Sequence, residues 1–215
     1  MQRLALFDLD NTLIDLDLGF RAWAEEFAEA RGLGADGVDT LVALDEEGYP
    51  HRDVFFGLVR ERFGLPDPME DLWAAYRLRM PHLVYCRPEV LDGLAALRTS
   101  GWKVGIVTNG MADNQLGKIQ RTGLAEAVDT YALSGAEGIR KPDRRLFEIA
   151  AQRCGASLEG GGWMIGDNLV ADIKGGRGAG LRTIWVDRGA WPGAVNGADH
   201  VVTDVVQVFK ILSMT

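Results

Sequence analysis

The stretch Leu4-Ala5-Leu6-Phe7-Asp8-Leu9-Asp10-Asn11-Thr12 decides how the rest of the chain is read. Four apolar residues in a row, without polar alternation, describe a strand buried on both faces, as in a parallel sheet. The run stops at Asp8, and in extended backbone Asp8 and Asp10 point the same way. One carboxylate of such a pair can act as a nucleophile while the other works as acid and base. A carboxylate nucleophile suits phosphoryl transfer if a cation offsets the repulsion between anions. Taken alone, the same residues also describe a strand that merely ends in an acidic, Asn-containing turn.

Further apolar runs lie downstream: Lys103 to Val107 ending at Thr108, Trp163 to Ile165 ending at Gly166-Asp167, and Thr183 to Val186 ending at Asp187. Helical patterning separates them. Pro88 opens one helix that closes at Gly101, Leu116, Ile119 and Gln120 mark a second, and Arg144 to Arg153 carries Leu146, Ile149 and Ala150 at helical spacing before Gly155. Strands alternating with helices predict an α/β fold, a parallel sheet covered on both faces. Residues 16–85 break the alternation. Phe20, Trp23, Ala24 and Phe27 form one apolar face, Val54, Phe55, Leu58 and Val59 another, and Leu72, Trp73, Tyr76 and Met80 a third. The economical reading is a helical insert after the first strand, with residues 1–15 and 86–215 forming the sheet domain.

The chain of 215 residues is long enough for one substantial core plus a small insert. Its formal net charge of -8 disfavours nucleic-acid partners. A bound cation and one well-placed lysine can still hold an anionic small molecule. Cys86 and Cys154 match no metal or redox spacing, and His51, His82 and His200 are too scattered for a zinc site. No apolar run approaches the roughly 20 residues of a membrane span. The N-terminal segment turns acidic too soon for a signal peptide, so the expected location is the cytoplasm.

Three more motifs carry chemistry. Thr108-Asn109-Gly110 offers a hydroxyl and backbone N–H groups at a strand-to-helix turn, an anion cradle or an ordinary Asn-Gly turn. Lys141-Pro142 supplies a point charge for a phosphate. With only five lysines in the chain, arginine is the usual surface cation here. Gly166-Asp167-Asn168 ends a strand, with Asp172 about a turn into the next helix. Such carboxylates suit magnesium, although Asp167 also reads as a helix cap. Ligands of open α/β sheets bind outside the carboxyl ends of the strands, where these motifs would converge.

These motifs, in this order, resemble the haloacid dehalogenase (HAD) superfamily of hydrolases. The resemblance rests on Asp8, Asp10 and Thr12, then Thr108-Asn109, Lys141-Pro142, and Gly166-Asp167 with Asp172. Gly123-Leu124 ahead of Val128-Asp129, and Leu146-Phe147 after the Lys-Pro, support it. The likeness runs from about Leu4 to Val205 and is vague over the insert. It implies a Rossmann-like core and a helical cap that closes over the site. It also implies roles: Asp8 as nucleophile and metal ligand, and Asp10 as general acid and base with its carbonyl on the metal. Thr12 and Lys141 would join the catalytic set. Leu9, Thr108, Asn109, Gly110 and Lys141 would hold the phosphate, and Asp167 and Asp172 would bind Mg2+.

The expected function is hydrolysis of a small phosphorylated metabolite through an aspartyl phosphate. A dehalogenase of the same fold is disfavoured because Asp10 is present and a halide leaving group needs no proton. A phosphomutase would share every motif, and a non-catalytic binding protein would usually have lost one of them. Substrate choice would fall to the insert. Arg52 is the candidate there, beside the turn Gly48-Tyr49-Pro50, with an ion pair to Asp45, Glu46 or Glu47 as its alternative role. The sequence does not reveal the oligomeric state.

Overall fold

The computed structural model describes residues 2–45, 51–193 and 197–215. The turn Gly48-Tyr49-Pro50, together with Glu46 and Glu47, lies outside the described residues. The chain divides into two units, residues 1–15 with 85–215, and residues 16–84.

The first unit is built on a parallel sheet. Its strands are β1 (Leu4–Phe7), β2 (Lys103–Thr108), β3 (Thr130–Leu133), β4 (Trp163–Gly166), β5 (Arg182–Val186) and β6 (His200–Val202). They lie in the order β3-β2-β1-β4-β5-β6. Every neighbouring pair is parallel. β1 is central and wholly buried, as an apolar run of four requires. Strand order reverses beside it, so the crevice at the carboxyl ends of β1, β2 and β4 is where such a sheet holds ligands.

Alternation along β1 sorts its side chains between the two faces. Leu4 and Leu6 pack with Leu146, Phe147, Ala150 and Ala151 of one helix. Phe7 meets the ring of Phe209, at a centroid distance of 6.2 Å. A Cβ at Gly93 would stand 2.2 Å from that same ring, so glycine is what admits Phe209 there. Truncating a wholly buried Leu6 in this layer would cost about 2–5 kcal/mol.

Two edge strands, β3 and β6, have no counterpart in the apolar runs of the sequence. β3 is half exposed over Thr130 and Tyr131, and β6 is three residues long. Neither carries a continuous apolar signal. β3 is instead held by Asp129, whose N–H donates to Val104 O and whose Oδ2 accepts from Val104 N–H, both at 2.8 Å.

The second unit holds helices α1 (Leu16–Arg31), α2 (Gly34–Asp45), α3 (Arg52–Phe63) and α4 (Met69–Arg79). Its core is aromatic. Trp23 touches Phe27 at 4.9 Å, Tyr76 at 5.0 Å and Phe56 at 5.7 Å between ring centroids. The register of α3 corrects the sequence expectation. Phe55, Phe56 and Val59 face inward, while Val54 and Leu58 are 50% and 38% exposed. Turning the helix exchanges Val54 and Leu58 for Phe56, which joins the rings of Trp23, Phe55 and Tyr76. α2 also escapes the sequence reading. Three of its first four residues, Gly34, Asp36 and Gly37, are poor helix formers, and it buries little beyond Leu41.

Candidate active site at the strand ends

Helices α5 to α11 complete the first unit: α5 (Pro88–Thr99), α6 (Ala112–Arg121), α7 (Leu124–Ala127), α8 (Ser134–Glu137), α9 (Arg144–Arg153), α10 (Gly175–Gly178) and α11 (Val206–Ser213). A π-helical turn, Leu169–Lys174, precedes α10.

Asp8 leaves β1 with its N–H still donating to Ile165 O of β4 at 2.8 Å. The chain then folds sharply. Leu9 O accepts from the N–H groups of Thr12, Leu13 and Ile14 at 3.3, 3.0 and 3.1 Å. Asn11 adopts φ +56°, a left-handed conformation that asparagine tolerates better than most residues. Asp10, at the start of this turn, stays close enough for its charge to bear on Asp8.

Lys141 is the hub. It is buried, and its Nζ donates to Asp8 Oδ1 at 2.5 Å and to Asp172 Oδ1 at 2.7 Å. Asn109 fixes its backbone from both sides. Asn109 Oδ1 accepts from Lys141 N–H at 2.8 Å, and Asn109 Nδ2 donates to Lys141 O at 3.1 Å. The Thr-Asn turn thus sets where the lysine starts. Asp172 is fully buried, and its Oδ2 accepts from Asn168 N–H at 3.0 Å. A Cβ at Gly166 would fall 2.2 Å from that oxygen, so the glycine before Asp167 makes room for Asp172.

The cap of the following helical turn is Asn168, not Asp167. Its Oδ1 accepts from Val170 and Ala171 N–H at 3.0 and 2.8 Å. Asp167 is thereby left for other work. Carboxylate oxygens of Asp8, Asp167 and Asp172 lie within 4.8 Å of one another. Three hard oxygen donors so close, contacted by a single lysine, fit a divalent cation such as those that take oxygen ligands.

The electrostatics express the same crowding. Burial pushes the Asp8 carboxyl up to about 7, against Lys141, which lowers it, while Asp172 adds to the rise. Asp167 is raised well above the usual carboxylate range, first by burial and then by Asp8 and Asp172. Burial works against charge on Lys141 too, but Asp172 and Asp8 outweigh it and hold the ammonium above its ordinary range. A cation among the carboxylates would relieve this repulsion.

Asp10 has its own partners. Lys118 Nζ donates to Asp10 Oδ1 at 2.8 Å and Oδ2 at 3.0 Å. Gln115 Nε2 donates to Asp10 Oδ2 at 2.9 Å and to Thr108 Oγ1 at 2.7 Å. Sequence reasoning missed both residues, having read α6 by Leu116, Ile119 and Gln120. In the structure its buried face is Asn114, Gln115, Lys118 and Ile119. The available signal was a lysine about two turns into the helix that follows a strand-end motif, in a chain with few lysines.

The remaining expected residues divide. Thr108 is buried at the end of β2, next to Asn109. Gly110 departs from a phosphate-donor role: its N–H donates to Ser134 Oγ at 2.9 Å. Its φ of +150° and its missing Cβ, which would come within 2.9 Å of Gln115, let that side chain lie against it. Thr12 is buried, with its Oγ1 lacking a hydrogen-bond partner among the described residues. Arg52 stands in the aromatic cluster of the second unit. Its guanidinium pairs with Asp45 and lies 5.0 Å from the ring centroids of both Phe20 and Tyr76.

The sequence pattern of the haloacid dehalogenase-like hydrolases matches residues 2–180. The chain is a member of that family. Among relatives, it is 34% identical to the phosphoserine phosphatase of Thermus thermophilus, over 96% of this chain and 98% of that protein. It is 28% identical to the glyceraldehyde 3-phosphate phosphatase of Pyrococcus furiosus, over 98% and 92% of the two chains. Among solved structures, the HAD hydrolase YfnB of Bacillus subtilis, crystallised with magnesium, superposes with a TM-score of 0.77. That match covers 99% of each chain at 25% identity. No helix among the described residues is long and apolar enough to cross a membrane.

Proposed function

We propose that this chain is a magnesium-dependent phosphatase that hydrolyses a small phosphorylated metabolite through a phosphoryl group carried on Asp8. The observation that carries the reading is the placement of Asp8: it touches Lys141, lies in one oxygen cluster with Asp167 and Asp172, and is two residues from Asp10. The phosphatase names of its relatives support the same substrate class.

The chemistry divides into two halves. An oxygen of Asp8 attacks phosphorus, the bond from phosphorus to the ester oxygen breaks, and Asp10 gives its proton to the departing oxygen. A water oxygen then attacks the phosphorus of the aspartyl phosphate. Asp10 takes the water's proton, the bond to Asp8 breaks, and inorganic phosphate leaves with Asp8 restored. Lys141 and Thr108 hold the phosphoryl oxygens, and Leu9 and Asn109 contribute through the backbone. Asp8, Asp167, Asp172 and the Asp10 carbonyl would hold the magnesium, which supplies charge neutralisation between nucleophile and phosphate when bound. The strand-end residues recognise only the phosphoryl group, so we assign choice of the leaving group to the helical unit, residues 16–84.

Phosphate release from a panel of sugar phosphates, nucleotides, phosphoamino acids and flavin mononucleotide tests this reading. Turnover should require magnesium and stop with a chelator. Full activity in excess chelator would remove the metal from the account. Turnover of a haloacid in place of every phosphate would replace the reaction altogether.

A further inference from the structure

We infer that Lys118 and Gln115 are positioning residues that clamp the Asp10 carboxylate and couple it to the phosphate-binding Thr108. The inference rests on the phosphatase reading above and extends it to residues outside the motifs.

The geometry is specific. Lys118 sits one turn after Gln115, so both side chains leave the same face of α6. That face is buried, with Gln115 2% and Lys118 3% exposed. Burying a lysine is costly unless its charge meets an anion, and a packing role would be served better by leucine. Lys118 meets both oxygens of Asp10, at 2.8 and 3.0 Å, which fixes the carboxylate plane as a single contact would not. Gln115 adds a contact to Oδ2 at 2.9 Å. Its Nε2 also reaches Thr108 Oγ1 at 2.7 Å and Asn109 O at 3.3 Å. One amide therefore spans the acid-base carboxylate and the turn that receives phosphate. Gly110, with no Cβ to oppose Gln115, admits that amide.

Asp10 needs such a clamp because its own loop leaves it partly solvated, with a side chain 20% exposed. An untethered carboxylate samples several rotamers, and misplacing a proton donor by about 1 Å can cost on the order of a hundredfold in rate. Lys118 and Gln115 touch neither Asp8 nor the metal-binding oxygens in the structure. Loss of the Lys118 ammonium should therefore be felt through Asp10, whereas Gln115 also acts on Thr108.

The test compares wild type, Lys118→Met, Asp10→Asn and the double variant. Each is assayed with p-nitrophenyl phosphate, whose leaving group needs little proton help, and with phenyl phosphate, whose leaving group needs more. Lys118→Met should lower kcat/KM, which reports only the steps up to phosphoryl transfer, by on the order of 10- to 100-fold for phenyl phosphate and by less for p-nitrophenyl phosphate. In the Asp10→Asn background the same substitution should cause no further loss, because the group it positions is already gone. A merely structural lysine would lower both substrates alike and would act equally in either background, and that result overturns the clamp. So does wild-type kcat/KM for phenyl phosphate in Lys118→Met. If melting curves show that the methionine variant does not fold, Lys118→Gln is judged by the same two comparisons. Failure of the underlying reading looks different: wild type itself would show no Asp8-dependent hydrolysis, and the clamp would fall with it.

Discussion

Both units of this chain shield a cation against a carboxylate, Arg52 in part and Lys141 almost wholly, yet the two pairs sit in opposite surroundings. In the helical unit, Arg52 faces Asp45 and is walled by the rings of Phe20, Phe55 and Tyr76. At the strand ends, Lys141 faces Asp8 and Asp172, with Asp167 in the same cluster. The first arrangement joins a cation to an anion and surrounds them with apolar area. The second gathers more negative charge than the lysine in contact with it neutralises, at a cost in stability that folding alone gives no reason to keep. An unmet charge at the carboxyl ends of a parallel sheet is what a site for a cation and an anionic substrate looks like before either arrives.

Asp8→Asn is the substitution expected to break the contrast most completely. It removes the nucleophile while keeping the shape, and should lower turnover by about ten-thousandfold or more. The protein should stay folded, since a neutral amide relieves repulsion in the cluster. Near-wild-type hydrolysis of p-nitrophenyl phosphate by the purified variant would contradict the role of this residue.

Asp10→Asn comes next, with a loss of about 100- to 10,000-fold. In kcat/KM, which reports phosphoryl transfer and not the shared hydrolysis of the aspartyl phosphate, the loss should grow as the leaving group becomes harder to expel, so phenyl phosphate should suffer more than p-nitrophenyl phosphate. Equal losses for the two would argue against Asp10 as the acid.

Arg52→Ala sharpens the comparison from the other side. Removing one partner of a largely shielded pair should destabilise the protein by about 3 kcal/mol, the lower end for a buried pair, read from urea unfolding. Below the melting temperature, kcat/KM for p-nitrophenyl phosphate and for the best metabolite should change alike. A selective loss for the metabolite would give Arg52 the substrate-binding role that its position in the sequence first suggested.

A smaller effect concerns pH and metal. Asp8 and Asp167 both have folded-state pKa values raised above those of an unfolded chain, Asp8 to about 7. The native state then holds more protons than the unfolded state between the ordinary carboxylate range and about 7. In chelator, their contribution to stability should be complete in acid and lost as pH rises through neutrality. Saturating magnesium should restore about 2–3 kcal/mol and raise the melting temperature more at pH 8 than at pH 5. A melting temperature indifferent to both magnesium and pH would contradict the crowding of carboxylates.

Much of this was legible in the residues. β1, β2, β4 and β5 announce themselves as apolar runs, and three of the four strand ends supply the site. The edge strands were silent because half-exposed Thr130-Tyr131 and the short β6 bury too little to show a pattern. The face of α3 differs from the expected one because Val54 and Phe56 both flank Phe55, and periodicity alone does not show that Phe56 meets Trp23 and Tyr76. Among site residues, the carboxylates and Lys141 stood in motifs. Gln115 and Lys118 did not, since a polar helical face normally means solvent and here it means the site. Asn109 and Gly166 were visible as motif letters, but their work is steric and local: one pins the backbone of Lys141, the other clears space for Asp172.

The central claim is that phosphate passes through a covalent bond to Asp8, and trapping that bond tests it most directly. The magnesium-loaded enzyme, mixed with its best substrate and quenched in acid during turnover, can be digested and read by mass spectrometry. A hydroxylamine-labile phosphoryl group is expected on the peptide containing Asp8, and none in the Asp8→Asn variant. Turnover without any phosphorylated peptide, or with the phosphoryl group on another residue, would contradict it.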